Sequence, residues 1–188
     1  ASLALLTSFT LGVLLGLLIS WKRKSWLDPI VTLYAAMAQA IPDFIIALIL
    51  LIVFAINLRL FPLRGAYGVE VTPGLNLPFI LDALYHAVLP VAAFTLQTMG
   101  TWALAMKGSA MAVLSSDYIT VAKAKGLRER RILLNYLGRN AILPLVTTFA
   151  IALGTMFSGA MLIEFLFSYP GIGYFLTEAL NNRDFPLM

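Results

Sequence analysis

Long apolar runs separated by polar stretches dominate the chain, and they predict four membrane-spanning helices. A bilayer core about 30 Å thick needs roughly 20 apolar helical residues to cross it. Backbone N–H and C=O groups cannot stay unpaired in lipid, so runs of this length are expected to be helical. The second run contains Pro42 near its middle. The four runs cover residues 2–20, 30–56, 86–106 and 141–167.

Composition supports the membrane assignment. Of the 188 residues, 61% are hydrophobic and only 12% are charged, whereas soluble domains carry about 25% charged residues. A soluble protein of this composition would lack the polar residues needed to cover its core. We therefore expect an all-α membrane protein, built as a polytopic helical bundle. The chain has no cysteine, which excludes disulfides and thiolate metal sites.

The basic residues indicate which loops face the cytoplasm. Cytoplasmic loops are enriched in Lys and Arg, and most of the 13 in this chain lie in two loops. Residues 21–29 and 108–140 are therefore predicted to be cytoplasmic, and residues 57–85 and 168–188 extracellular or periplasmic. This placement accounts for the net charge of +4, so nucleic acid is not an expected partner. The ten basic residues on the predicted cytoplasmic side are Lys22, Arg23, Lys24, Lys107, Lys123, Lys125, Arg128, Arg130, Arg131 and Arg139.

The cytoplasmic segment after the third run has an amphipathic helical pattern that ends at a glycine. Ser116 or Asp117 is predicted to cap the helix N-terminus, and Gly126 to end the helix. The pattern fits a basic helix resting on anionic lipid. It fits equally a docking surface for a cytoplasmic protein. The predicted apolar face consists of Tyr118, Ile119, Val121 and Ala122.

Short motifs in and around this segment resemble those of one transporter family. Residues 117–119 (DYI), 122–127 (AKAKGL) and 139–144 (RNAILP) resemble the EAA loop of ABC importer permeases. More narrowly, the chain is similar to the B-type permease subunit of the dipeptide/oligopeptide/nickel class. Thr120 and Val121 stand where the general loop motif has Glu and Ala. The other matching motifs are SWLD (25–28), IPDF (41–44), FPLRG (61–65), His86, LP (89–90), EFLFSYPGIG (164–173) and NRDFP (182–186).

The resemblance implies the fold, the function and the partners. Residues 1–188 would form a single transmembrane permease domain of the type I ABC importer kind, with one further span before Ala1 and one after Met188. The chain would belong to an ATP-driven importer of peptides or a similar small solute in the plasma (inner) membrane. Its partners would be a second permease subunit, cytoplasmic ATP-binding subunits, an extracellular or periplasmic solute-binding protein, and membrane lipid.

The resemblance also implies roles within the cytoplasmic segment. Residues 117–127 would form a coupling segment that docks on an ATP-binding subunit and transmits its closure to the membrane spans. Arg128, Arg130 and Arg131 would be polar or lipid-facing support. The predicted coupling residues are Asp117, Tyr118, Ala122, Lys123, Ala124, Gly126 and Leu127, of which Tyr118, Ala122 and Gly126 would be packing and turn positions.

The chain itself lacks the residues expected of an ATPase. It contains no GxxxxGK[ST] phosphate-binding loop, so hydrolysis is expected on a partner subunit. No cofactor is predicted in this chain, since ATP and Mg²⁺ would be bound by that partner. A membrane enzyme is disfavoured because the sequence shows no paired-His, Ser/His or clustered-carboxylate pattern. No catalytic residue and no metal site are predicted.

Polar residues inside the apolar runs are candidates for the translocation path or gate. A charge at mid-span costs about 2.5–3.5 kcal/mol on insertion scales, so such residues usually face a cavity or pair internally. On this basis we select Asp43, Gln97 and Glu164. A structural hydrogen bond is the favoured alternative for Glu164, and an interhelical bond for Gln97. A secondary transporter that uses Asp43 and Glu164 as ion carriers remains the alternative function.

Overall fold

The computed structural model describes residues 1–21, 26–159, 161–184 and 186, without the side chains of residues 156–159. Lys22, Arg23, Lys24, Phe185 and Met188, which enter the predictions above, lie outside the described residues. The described part contains helices and no β-strand, which confirms the all-α expectation. The helices are α1 (Ser2–Trp21), α2 (Leu27–Ala40), α3 (Asp43–Leu50), the π-helical stretch Leu51–Asn57, α4 (Leu77–Leu114), α5 (Asp117–Ala124), α6 (Glu129–Arg131), the π-helical stretch Ile132–Gly138, α7 (Arg139–Ala141), α8 (Leu143–Gly159), α9 (Met161–Leu166) and α10 (Ile172–Asn182).

Two of the predicted spans, 2–20 and 86–106, lie in the single helices α1 and α4, which are each long and apolar enough to cross a membrane. Two pairs of helices, within residues 27–57 and 129–155, are each bent at a short break, and up to four spans are found if each pair counts as one. The second pair begins before the predicted fourth run (141–167), so it includes part of the loop predicted to be cytoplasmic. The second predicted run is interrupted at Pro42, because proline lacks an N–H donor and disfavours helical geometry in the residue before it. α4 begins before the predicted third run, so residues 77–85 of the predicted outer loop are helical.

The chain divides into two compact units, and the first contains residues 6–40 and 98–153. Its α1 lies very close to the second half of α4, since a Cβ added at Gly12 or Gly16 would overlap atoms of Met99, Trp102 or Ala103. Small residues at helix–helix contacts permit such a close approach in lipid. The core of this unit is formed by Val13, Leu17, Met106, Ala110, Leu137, Ala141 and Leu145.

The second unit contains residues 1–5, 41–97 and 154–188. Its irregular segment between Asn57 and Leu77 is held by hydrogen bonds. Tyr85 donates its hydroxyl to the Leu60 carbonyl at 2.6 Å, and the Gly68 amide donates to the Asp82 carboxylate at 2.6 Å. The core is formed by Ala47, Leu51, Ala55, Leu89, Ala93, Ile163 and Phe167.

Candidate functional site

The predicted coupling segment contains a short helix, α5, that begins at Asp117. Ser116 occupies the N-cap position with an extended backbone (φ −82°, ψ 149°). Its hydroxyl donates to the Val113 carbonyl and caps no amide of α5. The predicted side-chain cap is therefore wrong for Ser116, because the end of α4 lies closer to that hydroxyl than the α5 amides do. Asp117 lies in the first turn and Lys123 in the last, where their charges complement the helix dipole.

α5 ends in a turn that favours glycine. Gly126 has φ +67°, in the left-handed region that residues with a Cβ adopt at a cost. Its amide donates to the Lys123 carbonyl at 2.9 Å, and the Leu127 amide donates to the Ala122 carbonyl at 3.3 Å. This pair of bonds is the Schellman arrangement. It turns the chain away from the helix axis at Gly126 and Leu127, the last two predicted coupling positions.

One face of α5 is packed against its own unit. Ile119 and Ala122 are 1% and 2% exposed, and they form a cluster with the buried Ile132. The apolar side chains packed around this cluster are Trp21, Val113, Leu114, Leu127 and Tyr136. A short isolated helix is only marginally stable in water, so this packing is what holds α5 in place.

An adjacent face of α5 is exposed. Tyr118 and Val121, which were predicted on the same apolar face as Ile119 and Ala122, are 42% and 50% exposed. Successive residues of a helix are about 100° apart, so the predicted apolar face is wide. Only the half that carries Ile119 and Ala122 is packed against the unit. Asp117, Lys123 and Ala124 are also exposed, and Leu127 is partly buried.

The helix after this turn connects α5 to the core of its unit. We call residues Glu129–Ala141, which comprise α6, the π-helical stretch and α7, the return helix. Its Ile132 packs with α5, while its Leu137 and Ala141 belong to the main core with Val13 and Met106. The Ser109 hydroxyl on α4 donates to the Ala141 carbonyl at 2.6 Å. α5 is thus attached to membrane helices through continuous packing.

Glu164 has a structural role at the start of α10. Its Oε2 accepts hydrogen bonds from the amides of Gly173 at 2.9 Å and Tyr174 at 3.4 Å. A carboxylate at a helix N-terminus satisfies otherwise unpaired donors and is favoured by the helix dipole. A Cβ at Gly171 would overlap this carboxylate, which explains the glycine. The favoured alternative for Glu164, a structural hydrogen bond, is confirmed.

The other two candidate path residues lie on α3 and α4. Asp43 is the first residue of α3, and its carboxylate accepts from the Phe44 amide at 2.8 Å. Gln97 lies on α4 and is partly exposed. Among the described residues, no group of three or more His, Asp or Glu side chains is arranged to hold a metal ion.

Comparison with known proteins decides the family. A family model described as "Binding-protein-dependent transport system inner membrane component" matches residues 10–188. The chain belongs to this family. The family description places its members in the inner (plasma) membrane, in agreement with the apolar helices of this chain.

Curated relatives of this family member carry peptide transport names. The chain is 33% identical over 177 residues to the dipeptide transport system permease protein DppB of Bacillus subtilis (strain 168), covering 94% of the chain and 53% of that protein. It is 35% identical over 188 residues to the oligopeptide transport system permease protein AppB of the same organism, covering 99% and 56%. The di/tripeptide transport system permease protein DppB of Pseudomonas aeruginosa (strain UCBPP-PA14) is 32% identical over 198 residues, covering 98% and 59%. The chain thus spans a little more than half the length of these curated relatives.

Proposed function

We propose that the chain is part of the membrane-spanning subunit of an ATP-driven importer of peptides or a similar small solute. An extracellular or periplasmic binding protein would deliver the solute, and a second permease subunit would complete the pathway. Support comes from the family, whose description names a binding protein, and from the peptide transport names of the relatives. ATP hydrolysis, with its Mg²⁺, would take place on separate cytoplasmic subunits.

The observation that carries this proposal is the construction of α5. One face is anchored by Ile119 and Ala122, and the other presents Tyr118 and Val121 to solvent. An exposed aromatic and an exposed β-branched side chain on a firmly packed helix form a suitable docking surface for a protein partner. The Schellman turn and the return helix then give a stiff connection to α1 and α4, which a mechanical coupling element requires.

Burial supports different roles for the predicted coupling residues. Ala122 and Leu127 would anchor the segment, and Gly126 would turn it. Asp117, Tyr118, Lys123 and Ala124 would face the ATP-binding subunit, together with Val121. Enlarging Ala122 would therefore disturb the anchor itself, and its effect on a partner would be indirect. A sharp test must instead change the exposed face.

The test is co-purification of the full-length protein with its ATP-binding subunits. Val121→Arg places a charge on the exposed face of α5 and should reduce co-purified ATPase about tenfold or more, as expected at the centre of an interface. Uptake should fall in parallel, while the melting temperature of the permease stays unchanged. Asn181→Arg, an equally charged change at an exposed position of α10 outside the cytoplasmic segment, is the matched control. If Val121→Arg leaves assembly and uptake at the level of Asn181→Arg, the coupling assignment is wrong.

A further inference from the structure

A cleft of about 560 Å³ opens beside the Schellman turn, on the side of the return helix. It is separate from the exposed face of α5 that carries the proposed docking surface. Three of its lining residues are arginines and two are leucines. The residues that matter for its chemistry are Leu127, Arg128, Arg130, Arg131, Leu134 and Asn135.

The arginines of this cleft form no ion pair with any other described residue. Arg128, Arg130 and Arg131 have exposed side chains. The side-chain ion pairs found in residues 1–21, 26–159 and 161–184 are Asp82 with His86 and Asp28 with Lys107, so none includes these arginines. Glu129 is the only acidic residue in the 118–140 segment. Guanidinium groups bind phosphate oxygens through paired hydrogen bonds, so the cleft favours a phosphate-bearing anion.

The cleft also has an apolar wall. Leu134 is 48% exposed. Leu127 is partly buried and packs against the cluster that contains Ile119 and Ala122. A small inorganic anion would make no apolar contact with these two leucines. A ligand with a phosphate at one end and hydrocarbon at the other would contact both the arginines and the leucines.

The position of the cleft relative to α1 indicates its depth in the bilayer. Trp21 is the last residue of α1 and packs against the cluster that contains Ile132. Tryptophan at the end of a membrane-spanning helix lies at headgroup level. Ile132 directly follows Arg131 in the return helix, so the arginines are placed within about one helical turn of that level. The headgroups there belong to the predicted cytoplasmic leaflet, where anionic lipids attract basic residues.

We propose that this arginine cleft binds the headgroup of an anionic phospholipid. The arginines contact the phosphate, and Leu127 and Leu134 contact the glycerol backbone and the first carbons of the acyl chains. Because Leu127 also completes the Schellman turn, an occupied cleft reinforces the base on which α5 is held. The stability of the α5 segment would therefore depend on bound anionic lipid, whichever solute the protein carries.

The test is a titration of the full-length protein with phosphatidylglycerol in phosphatidylcholine nanodiscs, with bound lipid counted by native mass spectrometry. The double variant Arg130→Gln/Arg131→Gln should raise the dissociation constant of the first phosphatidylglycerol about fivefold for each arginine removed. The matched control, Lys123→Gln/Lys125→Gln, removes two charges from the same loop without altering the cleft and should leave the constant nearly unchanged. Equal effects of the two double variants would overturn the site, because diffuse surface charge would then explain the binding.

Two further measurements separate the lipid from other anions. Soluble glycerol phosphate at the same concentration should not displace phosphatidylglycerol, since it cannot contact the leucine wall. Displacement would mean that the cleft binds free phosphate esters, which overturns the proposal. The arginine variant should also retain its ATP-binding subunits in lipid-free detergent. If it loses them while binding phosphatidylglycerol normally, the cleft serves the partner protein and the lipid assignment is wrong.

Discussion

The carboxylate of Glu164 caps α10 from another helix, with its Oε2 located 2.9 Å from the amide nitrogen of Gly173. Glu164 is 8% exposed and Gly173 is buried, so water cannot readily replace the carboxylate as the acceptor for the Gly173 amide. Tyr169 lies in the connection between the two helices. Burial, and secondarily the charge of Glu164, raise the pKa of the Tyr169 hydroxyl above its usual value.

Removing this cap should loosen α10. Glu164→Ala leaves the buried Gly173 amide without its acceptor, which costs about 1–3 kcal/mol, whereas Glu164→Gln retains a carbonyl oxygen and should cost less. Faster proteolysis within residues 172–184 and a lower melting temperature are the expected results. Glu178→Gln, at an exposed position of the same helix, should change neither. An Ala variant as resistant as the wild type would show that the contact contributes nothing.

Two glycines of α4 should respond oppositely to alanine. A Cβ at Gly100 would lie 2.7 Å from the Ala35 Cα, so Gly100→Ala forces α2 and α4 apart at a cost of about 1–3 kcal/mol. A Cβ at Gly108 would meet nothing within 4 Å, so Gly108→Ala should stabilise the helix by up to about 1 kcal/mol. Thermal melting in one detergent measures both changes. Equal shifts for the two variants would contradict the close packing of α2 on α4.

The ion pair between Lys107 and Asp28 joins α4 to α2. Their charged atoms are 2.5 Å apart, with side chains 29% and 28% exposed. A double-mutant cycle with Asp28→Asn, Lys107→Gln and the combined variant should give a coupling energy of about 1 kcal/mol. The coupling should shrink as salt is added, since partly exposed charges are screened. A coupling of zero at low salt would mean that the pair contributes nothing to stability.

The backbone conformation at Gly126 should dominate the effect of substitutions there. Nothing lies within 4 Å of a Cβ added at this position, so any cost comes from the positive φ. Asparagine tolerates that region, and Gly126→Asn should change little. Valine does not, and Gly126→Val should cost about 1–2 kcal/mol. Hydrogen exchange of residues 117–127 provides the measurement, with faster exchange expected for the valine variant only. Similar exchange in both variants would show that the positive φ at position 126 does not determine the stability of this turn.

Several features of this protein are determined by the sequence alone. The apolar runs predict spans because lipid leaves no alternative to a helix, and Pro42 marks a break because its ring prevents a helical hydrogen bond. The glycine at 126 predicts the end of α5 because glycine adopts a positive φ at little cost. The motifs of residues 117–127 and 164–173 led to the family that the comparison establishes.

Only the tertiary structure decided which face of each element is turned inward. In a chain that is apolar on nearly every side, hydrophobic periodicity cannot separate Val121 from Ala122, because both are apolar and one residue apart. The cap on α10 likewise depends on Glu164, nine positions before Gly173, a spacing that no local rule predicts. The stretches Leu51–Asn57 and Ile132–Gly138 are π-helical without any proline or charge pattern to signal it. Contacts between residues far apart in the sequence decide these features, and the pattern of apolar and polar residues along the chain does not reveal those contacts.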